Sequence, residues 1–363
     1  ISRNVFMFNP TQLKGSISEK SLQLHELAGG VIETELTEEK CKKLVAIVSD
    51  GTAVLGFGNI GADAAIPVME GKAALYAALA DVSSMSLCVK TQIPEEVFKI
   101  VQLLEDSFSG IHIEDIAAPA CFQVENTLID TLKIPVFHDD QHGTAIIVLA
   151  AILNALTIAN KELDKVKIII NGAGAAGSAV ARLLIFAGVK NLIMLDKNGT
   201  IYKGRPENNT NLEDLAQYTN PNQEKGPLSD EIKGADIFIG LSKGNLLTPE
   251  MVKAMNKKPI VFALANPMPE IMPDDAKTAG AFIVGTGRSD FPNQINNSLA
   301  FPGVFKGAID GNIHKITDEI KLNCAVALAS IIPEAELSPE KILPDPLDPK
   351  VVEKITEVMA AKP

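Results

Sequence analysis

From residue 44 onward, short runs of apolar residues alternate with longer stretches in which apolar residues recur at helical spacing. A strand buried on both faces reads as a continuous apolar run, and a helix between two such runs forms the crossover of a parallel sheet. The alternation therefore predicts an α/β fold in which helices cover both faces of parallel sheets. The predicted strands are 44–48, 85–89, 110–113, 134–137, 166–170, 192–195, 237–239, 260–263 and 282–284.

The helical stretches between these strands differ in how apolar they are. Segment 145–159 is apolar almost throughout, interrupted only at Asn154 and Thr157. It is shorter than the roughly 20 residues that cross a bilayer, so we predict a buried core helix rather than a membrane span. The predicted helices are 63–80, 94–104, one that begins near 119, 145–159 and 175–187, followed by a helical tail from 316.

Two series of strands and helices occur, one before the helix at 145–159 and one after it. A chain of 363 residues suits two domains, at about 150 residues each. We predict an N-terminal α/β domain over 1–143, a Rossmann-type, doubly wound domain over 144–315 and a helical C-terminal tail over 316–363. Segment 198–225 is rich in Asn, Gly, Pro and charge, which predicts a surface excursion of the second domain.

Composition and charge disfavour several classes of protein. Lys plus Arg number 33 against 45 Asp plus Glu, which gives a formal net charge of −12. Such a chain repels phosphate backbones and anionic lipids, so we expect neither nucleic-acid nor membrane partners. Hydrophobic residues make up 46% of the chain, too many for a disordered protein. No secretory pattern opens the chain and its four cysteines lack CxxC spacing, which predicts a cytoplasmic location.

Residues 166–177 read VKIIINGAGAAG, a β-rich run that leads directly into a GxGxxG motif. In such a loop Gly172 permits a tight turn, Gly174 lets the backbone approach a pyrophosphate, and Gly177 allows close packing of helix and strand. The N–H groups at the start of the following helix attract phosphate oxygens. The predicted dinucleotide-binding residues of this loop are Gly172, Ala173, Gly174, Ala175, Ala176 and Gly177.

Asp196 ends the next predicted strand. An acidic residue at this place in a dinucleotide-binding fold hydrogen-bonds the ribose hydroxyls and so favours NAD. Lys197 follows it directly, and Lys203 and Arg205 lie nearby, so a basic side chain is also available for the 2′-phosphate of NADP. The sequence therefore predicts NAD and leaves NADP open.

Acidic pairs follow two of the predicted strands: Glu114 and Asp115 after one, Asp139 and Asp140 after the other. The carboxyl ends of parallel strands meet at one edge of a sheet, where open α/β sheets bind their ligands. Carboxylate oxygens suit a hard divalent cation such as Mg²⁺ or Mn²⁺. The alternative is that these acids cap the N-termini of the helices that follow.

His138 and His142 stand four residues apart beside the second acidic pair. On one helix this spacing resembles a pair of metal ligands. His138 ends a predicted strand and Gly143 closes the segment, so the two imidazoles are not expected to share a helical face. We interpret them as packed or hydrogen-bonded core residues.

Lys72 stands in the helical stretch PVMEGKAALY, whose other residues are nearly all apolar. Burial among apolar side chains disfavours a charged ammonium, which would lower the pKa of Lys72 and suit it to act as a base. The alternative is that the ammonium group extends past its apolar neighbours to water.

These candidates fall within blocks that resemble the malic enzyme family, in particular its short bacterial-type members. The resemblance runs from about residue 45 to residue 331 and keeps the order of the family's motifs. The blocks are SDGTAVLGFGNIG (49–61), PVMEGKA (67–73), IEDIAAP (113–119), IPVFHDDQHGTA (134–145), INGAGAAG (170–177), FALANPMPEI (262–271) and GTGRSDFPNQINN (285–297).

The resemblance implies oxidative decarboxylation of L-malate to pyruvate and CO₂ with NAD or NADP and with Mg²⁺ or Mn²⁺. It implies that Lys72 is the base and that Asn266 and Asn297 hold the substrate carboxylates, with Asn266 also beside the cofactor. A homodimer or a dimer-based oligomer is the assembly it suggests. The implied metal ligands are Glu114, Asp115 and Asp140.

Two positions depart from the family pattern. Leu27, in LAGGV (27–31), stands where the family has the tyrosine that serves as the acid at C3, and Ala120 stands where a basic residue often follows the EDxxAP block. Leucine has no proton to donate, so we expect slow protonation at C3. Two alternatives follow: an oxaloacetate decarboxylase with little malate oxidation, and a low-activity or non-catalytic nucleotide-binding protein.

Overall fold

The computed structural model describes residues 44–54 and 56–360. Its first sheet has four parallel strands in the order β2-β1-β3-β4. The central strands β1 and β3 are apolar and buried along almost their whole length, whereas β2 at one edge, with the sequence SSMSLC, is partly exposed. The strands are β1 Leu44–Ser49, β2 Ser83–Cys88, β3 Gly110–Ile113 and β4 Val136–His138.

The second sheet has six strands in the order β10-β9-β8-β5-β6-β7. All its pairs are parallel except that β7 runs antiparallel to β6. The strand order reverses between β5 and β8, and doubly wound sheets bind their ligands at such a reversal. The strands are β5 Lys167–Asn171, β6 Asn191–Asp196, β7 Gly199–Thr200, β8 Ile237–Gly240, β9 Ile260–Ala263 and β10 Ile283–Thr286.

Helices connect and cover both sheets, and two of them are continuous with π-helical turns. Helix α1 runs on into the turn Tyr76–Ala80, and the turn Asp139–Gly143 runs on into α4. The helices are α1 Gly61–Leu75, α2 Pro94–Leu103, α3 Ala120–Thr131, α4 Thr144–Ala159, α5 Ala175–Phe186, α6 Thr210–Leu215, α7 Leu228–Glu231, α8 Pro249–Lys253, α9 Pro273–Thr278, α10 Phe301–Asp310, α11 Asp318–Ala329 and α12 Pro349–Ala360.

Helix α4 lies at the centre of the core, as its sequence predicts. Its side chains belong to one apolar cluster that also includes β1 of the first sheet and β5 of the second. Together with the preceding turn it makes a 21-residue helical segment that is apolar and long enough to cross a bilayer. Twelve of the residues of α4 are buried inside the protein, so burial rather than length identifies it as a core helix.

The α/β fold with parallel sheets is confirmed, and every predicted strand is present with its ends displaced by at most two residues. Segment 198–225, predicted as a surface excursion, is exposed over much of its length, and it also contains the unpredicted elements β7 and α6 and a buried anchor. The Asn220 amide there donates to the carbonyl oxygens of Ile201 and Glu224 and so satisfies the loop's own backbone. The domain boundaries at 143 and 315 stay predictions, since the chain from Leu44 onward packs as one unit.

Candidate active site

Two neighbouring strands of the first sheet deliver the acidic residues to one edge. Strands β3 and β4 are parallel with Ile113 opposite His138, so the residues that follow the two strands lie side by side. Glu114 and Asp115 come from the end of β3, and Asp139 and Asp140 come from the π-helical turn after β4. The edge of the sheet therefore gathers both acidic pairs that the sequence singles out.

Three of these acids form a compact oxygen cluster. One carboxylate oxygen from each of Glu114, Asp115 and Asp140 lies within 4.8 Å of the others, and the first two residues are each 3% exposed. Asp115 adopts a left-handed backbone conformation, with φ 54°, and its N–H donates to Asp140 Oδ2 at 2.8 Å. Asp tolerates this conformation better than most residues, and the turn aims both carboxylates at the same point.

Burial and mutual repulsion oppose the ionisation of two of these acids, Asp115 and Asp140, whereas burial at Glu114 is outweighed by Lys72 and His112, which lower the pKa of Glu114 to about 2. Burial, followed by the charges of Asp140 and Glu114, raises the pKa of Asp115 to about 9. Burial and the charge of Glu114 raise the pKa of Asp140 to about 6. A divalent cation would compensate three carboxylates held this close, and hard oxygen donors are the ligands that Mg²⁺ and Mn²⁺ prefer. The residues present therefore fit such an ion.

Lys72 of α1 lies beside the cluster. Its Nζ is 3.1 Å from Glu114 Oε1 and 2.5 Å from Asp139 Oδ2, so the ammonium group is held between two buried carboxylates. Burial lowers the pKa of Lys72, but the charges of Asp139 and Glu114 outweigh it and raise that pKa above its ordinary value. The sequence-based expectations of a lowered pKa and of an ammonium reaching water are both wrong, because Lys72 faces Glu114, which follows β3, and Asp139, which lies in the turn after β4.

The histidines near the acids take part in packing and hydrogen bonding. His142 Nε2 lies 2.8 Å from Oε1 of Glu125, a buried residue of α3. His138 is fully buried, and neither of its ring nitrogens has a hydrogen-bond partner in the part of the chain that the structure describes. Within residues 44–54 and 56–360, neither imidazole belongs to a cluster of metal-ligating side chains.

Glu125 also holds the turn that carries Asp139 and Asp140. Its carboxylate accepts hydrogen bonds from the backbone N–H of His138 at 3.2 Å and from Gln141 Nε2 at 2.8 Å. A side chain on the Cα of Gly143 would place its Cβ 1.9 Å from Asp139 Oδ1, so the turn requires a glycine there. Asn297 lies against the same turn, with its Cβ 3.3 Å from that Cβ position.

The glycine-rich loop has the geometry of a dinucleotide cradle. Gly172 has φ 128°, and a Cβ on it would lie 2.6 Å from the carbonyl oxygen of Leu241. A Cβ on Gly177 would lie 1.8 Å from the carbonyl oxygen of Gly172, whereas nothing lies within 4 Å of that position on Gly174. The loop is thus tightly packed where α5 meets β5 and open where a pyrophosphate would approach its N–H groups.

Asp196 at the end of β6 is held by Arg205. Asp196 Oδ1 accepts from Arg205 Nη1 at 2.9 Å and from the Asn198 N–H at 2.8 Å, and Oδ2 accepts from Arg205 Nη2. Burial raises the pKa of Asp196, but hydrogen bonds from Arg205 and Asn198 overcome this effect and leave that pKa below its usual value. Lys197 and Lys203, in contrast, are exposed.

Asn266 lies at the second sheet, three residues beyond β9, and Asn266 Nδ2 is 3.4 Å from the carbonyl oxygen of Leu264. Asn297 begins a short 3₁₀ turn, Asn297–Leu299, beside the acid-bearing turn. The substrate-binding role of both residues stays a prediction. Ala120 is the first residue of α3, and Leu27 lies outside the described residues.

Sequence reasoning missed the partners that hold the candidate residues in place. Asp139 as the counterion of Lys72, Glu125 behind the acid-bearing turn and Arg205 behind Asp196 are all long-range or loop contacts. The contact between His112 and Glu114 could have been predicted from the sequence. The two residues stand two positions apart at the end of β3, and residues i and i+2 of a strand point to the same face.

Two family models match the two parts of this chain. The family model of the malic enzyme NAD-binding domain matches residues 141–361, and that of the malic enzyme N-terminal domain matches residues 21–129. The α/β fold with an acidic cluster beside a dinucleotide loop defines the class of protein, an NAD(P)-dependent dehydrogenase with a divalent metal site. The chain belongs to the malic enzyme family.

Several named relatives are similar over most of this chain. It is 49% identical to the bifunctional malic/malolactic enzyme of Bacillus subtilis over 318 residues, which are 87% of this chain and 78% of that protein. It is 49% identical to the NAD-dependent malic enzyme of Geobacillus stearothermophilus, with 88% of this chain and 66% of the relative covered. The NADP-dependent malic enzyme of Escherichia coli is 44% identical over 87% of this chain, which spans 44% of that longer protein.

Solved structures show the same fold. The NAD-dependent malic enzyme of Thermotoga maritima superposes with a TM-score of 0.87 at 43% identity, covering 96% of this chain and 94% of that one. The malic enzyme of Pyrococcus horikoshii gives a TM-score of 0.85 at 39% identity, covering 97% and 85%. The Rossmann-type architecture predicted from the sequence is therefore confirmed.

Proposed function

We infer that this chain catalyses the oxidative decarboxylation of L-malate to pyruvate and CO₂ with NAD(P)⁺ and a divalent metal ion. Relatives named as NAD- and NADP-dependent malic enzymes support this reaction. The observation that supports it most is that the glycine-rich loop and the acidic residues are neighbours. Helix α5, which begins in that loop, packs against the π-helical turn that holds Asp139 and Asp140. This packing supports a dinucleotide on that loop reaching toward the acidic cluster and Lys72.

The metal assignment draws on Glu114, Asp115 and Asp140. These carboxylates would hold Mg²⁺ or Mn²⁺, and the raised pKa values of Asp115 and Asp140 show that negative charge at this cluster lacks compensation. When bound, the ion stabilises negative charge that develops on the substrate oxygen during oxidation and during loss of CO₂. The left-handed backbone of Asp115 and the hydrogen bond from its N–H to Asp140 Oδ2 hold these two carboxylates in position.

We assign the transfer of the substrate's hydroxyl proton to Lys72. It is the cationic side chain that contacts the cluster, and its Nζ is fixed from two sides by Glu114 and Asp139. Asp139 keeps a second oxygen, Oδ1, without a hydrogen-bond partner among the described residues. Because the pKa of Lys72 is raised, Lys72 is an ammonium at rest, and it must first pass a proton to Asp139 Oδ2, to which it is hydrogen-bonded. Burial raises the pKa of Asp139, so this carboxylate can take that proton, and the neutral amine that remains accepts the hydroxyl proton of the substrate.

The dinucleotide is assigned to the loop 172–177 and to Asp196, with Asn266 beside the cofactor and substrate and Asn297 at the substrate carboxylate. The ionised Asp196 accepts a ribose hydroxyl and repels a 2′-phosphate, which supports NAD as the preferred cofactor. A homodimer or dimer-based oligomer in the cytoplasm stays a prediction.

An assay of the unmodified protein tests the reaction. Malate with Mn²⁺ and each nicotinamide cofactor should yield pyruvate, CO₂ and one reduced cofactor per turnover. Oxaloacetate without cofactor is the second arm, since decarboxylation alone needs no hydride acceptor. Pyruvate from oxaloacetate but none from malate would identify a decarboxylase instead, and no turnover in either arm, with dinucleotide binding retained, would identify a non-catalytic protein.

A further inference from the structure

Behind Glu114, on the side away from Lys72, lies a buried line of two further polar side chains. His112 Nε2 is 2.6 Å from Glu114 Oε2, and the hydroxyl of Tyr76 is 2.8 Å from His112 Nδ1. Tyr76 and His112 are both fully buried. Tyr76 comes from the π-helical turn after α1 and His112 from β3, so two separate elements meet behind one carboxylate.

The direction of each hydrogen bond in this line follows from simple chemistry. A carboxylate only accepts, so His112 Nε2 carries the hydrogen that is donated to Glu114. A neutral imidazole that donates from Nε2 has a lone pair on Nδ1, and the Tyr76 hydroxyl lies 2.8 Å from that nitrogen. Burial raises the pKa of Tyr76, so its hydroxyl keeps its proton and donates to that lone pair. One tautomer of His112 satisfies both neighbours.

Aromatic packing fixes the plane of the imidazole. The ring of Phe305 stacks on His112 at a centroid distance of 5.8 Å and an interplanar angle of 17°. Phe301 contacts both rings edge-on, at centroid distances of 4.8 Å from Tyr76 and 5.3 Å from His112. Both phenylalanines belong to α10. Apolar rings cover these sides of both groups. The Tyr76 hydroxyl therefore bonds to the His112 imidazole, and the imidazole bonds to Glu114.

We propose that Tyr76 and His112 are positioning residues that orient Glu114 for metal binding. The Tyr76 hydroxyl selects the tautomer of His112 that donates from Nε2, and the imidazole then holds the Glu114 carboxylate toward Asp115, Asp140 and Lys72. In the other tautomer a nitrogen lone pair faces the carboxylate and repels it. The proposal rests on the proposed function, because it takes Glu114 as a ligand of the divalent ion.

A purely structural role makes a different prediction. A buried hydroxyl left without a partner is costly, and a phenylalanine at position 76 would fill the same apolar space without one. If packing alone mattered, Tyr76→Phe would leave metal affinity unchanged. Orientation of a ligand by an outer hydrogen bond typically contributes 10–100-fold to metal affinity.

The test is Mn²⁺ binding to the full chain, followed by the electron paramagnetic resonance of free Mn²⁺ without malate or dinucleotide. Tyr76→Phe should weaken Mn²⁺ binding by about 10-fold, the low end of that range, and His112→Leu should weaken it further. His112→Gln keeps an N–H donor and should recover part of the loss. Tyr218→Phe removes a hydroxyl from an exposed tyrosine and serves as the matched control.

Two further measurements separate the possible failures. NADH binding, which uses the glycine-rich loop, should be unaffected in every variant. If Tyr76→Phe changes only the melting temperature and leaves Mn²⁺ affinity as it was, the positioning role is wrong while the metal site stands. If Asp140→Ala also leaves Mn²⁺ affinity unchanged, the metal assignment of the proposed function is wrong, and this inference with it. Should His112→Leu not fold, Tyr76→Phe carries the test, since it removes one oxygen atom.

Discussion

Asp140 takes part in both the charge and the geometry of the acidic cluster. Its Oδ2 accepts the Asp115 N–H, and its side chain is 30% exposed, the most open of the three proposed ligands. It can therefore be removed with less damage to the core than Glu114 or Asp115.

We predict that Asp140→Ala abolishes malate oxidation and leaves the fold and NADH binding intact, because a cluster of two carboxylates holds a divalent ion poorly. Steady-state turnover with Mn²⁺, the melting temperature and NADH fluorescence measure the three effects. Asp130→Ala, an exposed substitution on α3, should change none of them. Full activity of the unmodified protein in excess chelator would contradict the requirement for a metal.

The ion pair between Asp196 and Arg205 should determine whether the protein prefers NAD or NADP. Asp196→Ala removes an acceptor for the ribose and should raise the KM for NAD by about 10-fold, as expected for loss of a hydrogen bond to a charged group. It also frees the Arg205 guanidinium for a 2′-phosphate, so the ratio of kcat/KM for NADP to that for NAD should rise. The double variant Asp196→Ala with Arg205→Met should lose this gain.

The cofactor preference of the unmodified protein also tests the role of Asp196. It should use NAD better than NADP, because the charge of Asp196 opposes a phosphate. Equal or better use of NADP would show that basic residues such as Lys197 or Lys203 decide the choice instead. Asp164→Ala, which removes an exposed acid paired with Lys190, is the matched control.

At the scale of elements, the turn Asp139–Gly143 depends on Glu125 of α3. Glu125 accepts from the His138 backbone, from Gln141 and from His142, and a glutamine in its place has one acceptor oxygen for these donors. We predict that Glu125→Gln lowers stability by about 1–3 kcal/mol, the usual cost of unsatisfied buried polar groups. Urea unfolding measures the loss.

The same substitution should weaken Mn²⁺ binding, because the turn also carries Asp140. Glu95→Gln, at an exposed acid that pairs with Gln123 across the α2–α3 contact, should change neither property and is the control. Reduced stability with unchanged Mn²⁺ affinity would show that the turn keeps its shape without Glu125.

The strands and long helices could be predicted because their periodicity is local. Apolar runs such as III (168–170) in β5 and the continuous apolar face of α4 identify buried elements without any tertiary information. The edge of the first sheet was also predictable, since parallel strands place their carboxyl ends together. Short elements such as β7 and α6 were not, because a two-residue strand and a helix of under two turns have too few positions for a period to show.

The electrostatics of the site could not be predicted from the sequence around each residue. Lys72 has apolar neighbours along the chain, which suggested a lowered pKa, and its carboxylate partners, Glu114 and Asp139, stand 42 and 67 positions later. A pKa is a property of three-dimensional surroundings, so the sign of its shift depends on contacts that periodicity does not encode.

At the scale of the whole molecule, stability should depend on pH through a carboxyl pair remote from the acidic cluster. Burial, with a hydrogen bond to Glu224, raises the pKa of Glu231 to about 7. Because this lies above the ordinary value of 4.5, the folded protein holds the proton more tightly than the unfolded chain does. This contribution is fully present below about pH 4.5 and is lost as the pH rises through 7.

Glu231→Gln keeps a donor toward Glu224 and has no proton to lose. We predict that it raises the melting temperature at pH 8 and leaves it nearly unchanged at pH 4.5, measured by differential scanning calorimetry. Asp230→Asn, an exposed neighbour on α7 that pairs with Lys233, is the control. A variant that is destabilised equally at both pH values would contradict the shared proton.

Asn154, in the C-terminal half of α4, is held by residues that are synthesised much later in the chain. The Asn154 side-chain amide donates both its hydrogens, to the carbonyl oxygens of Ala329 and Ile342, the latter 188 positions later in the chain. Two bonds from one planar group fix the rotation of a helix as well as its depth, and the same helix continues directly from the turn with Asp139 and Asp140. During translation the acids emerge from the ribosome early, whereas the Ile342 carbonyl that anchors Asn154 is synthesised 188 residues after Asn154, so the nascent chain lacks this anchor until it extends past Ile342.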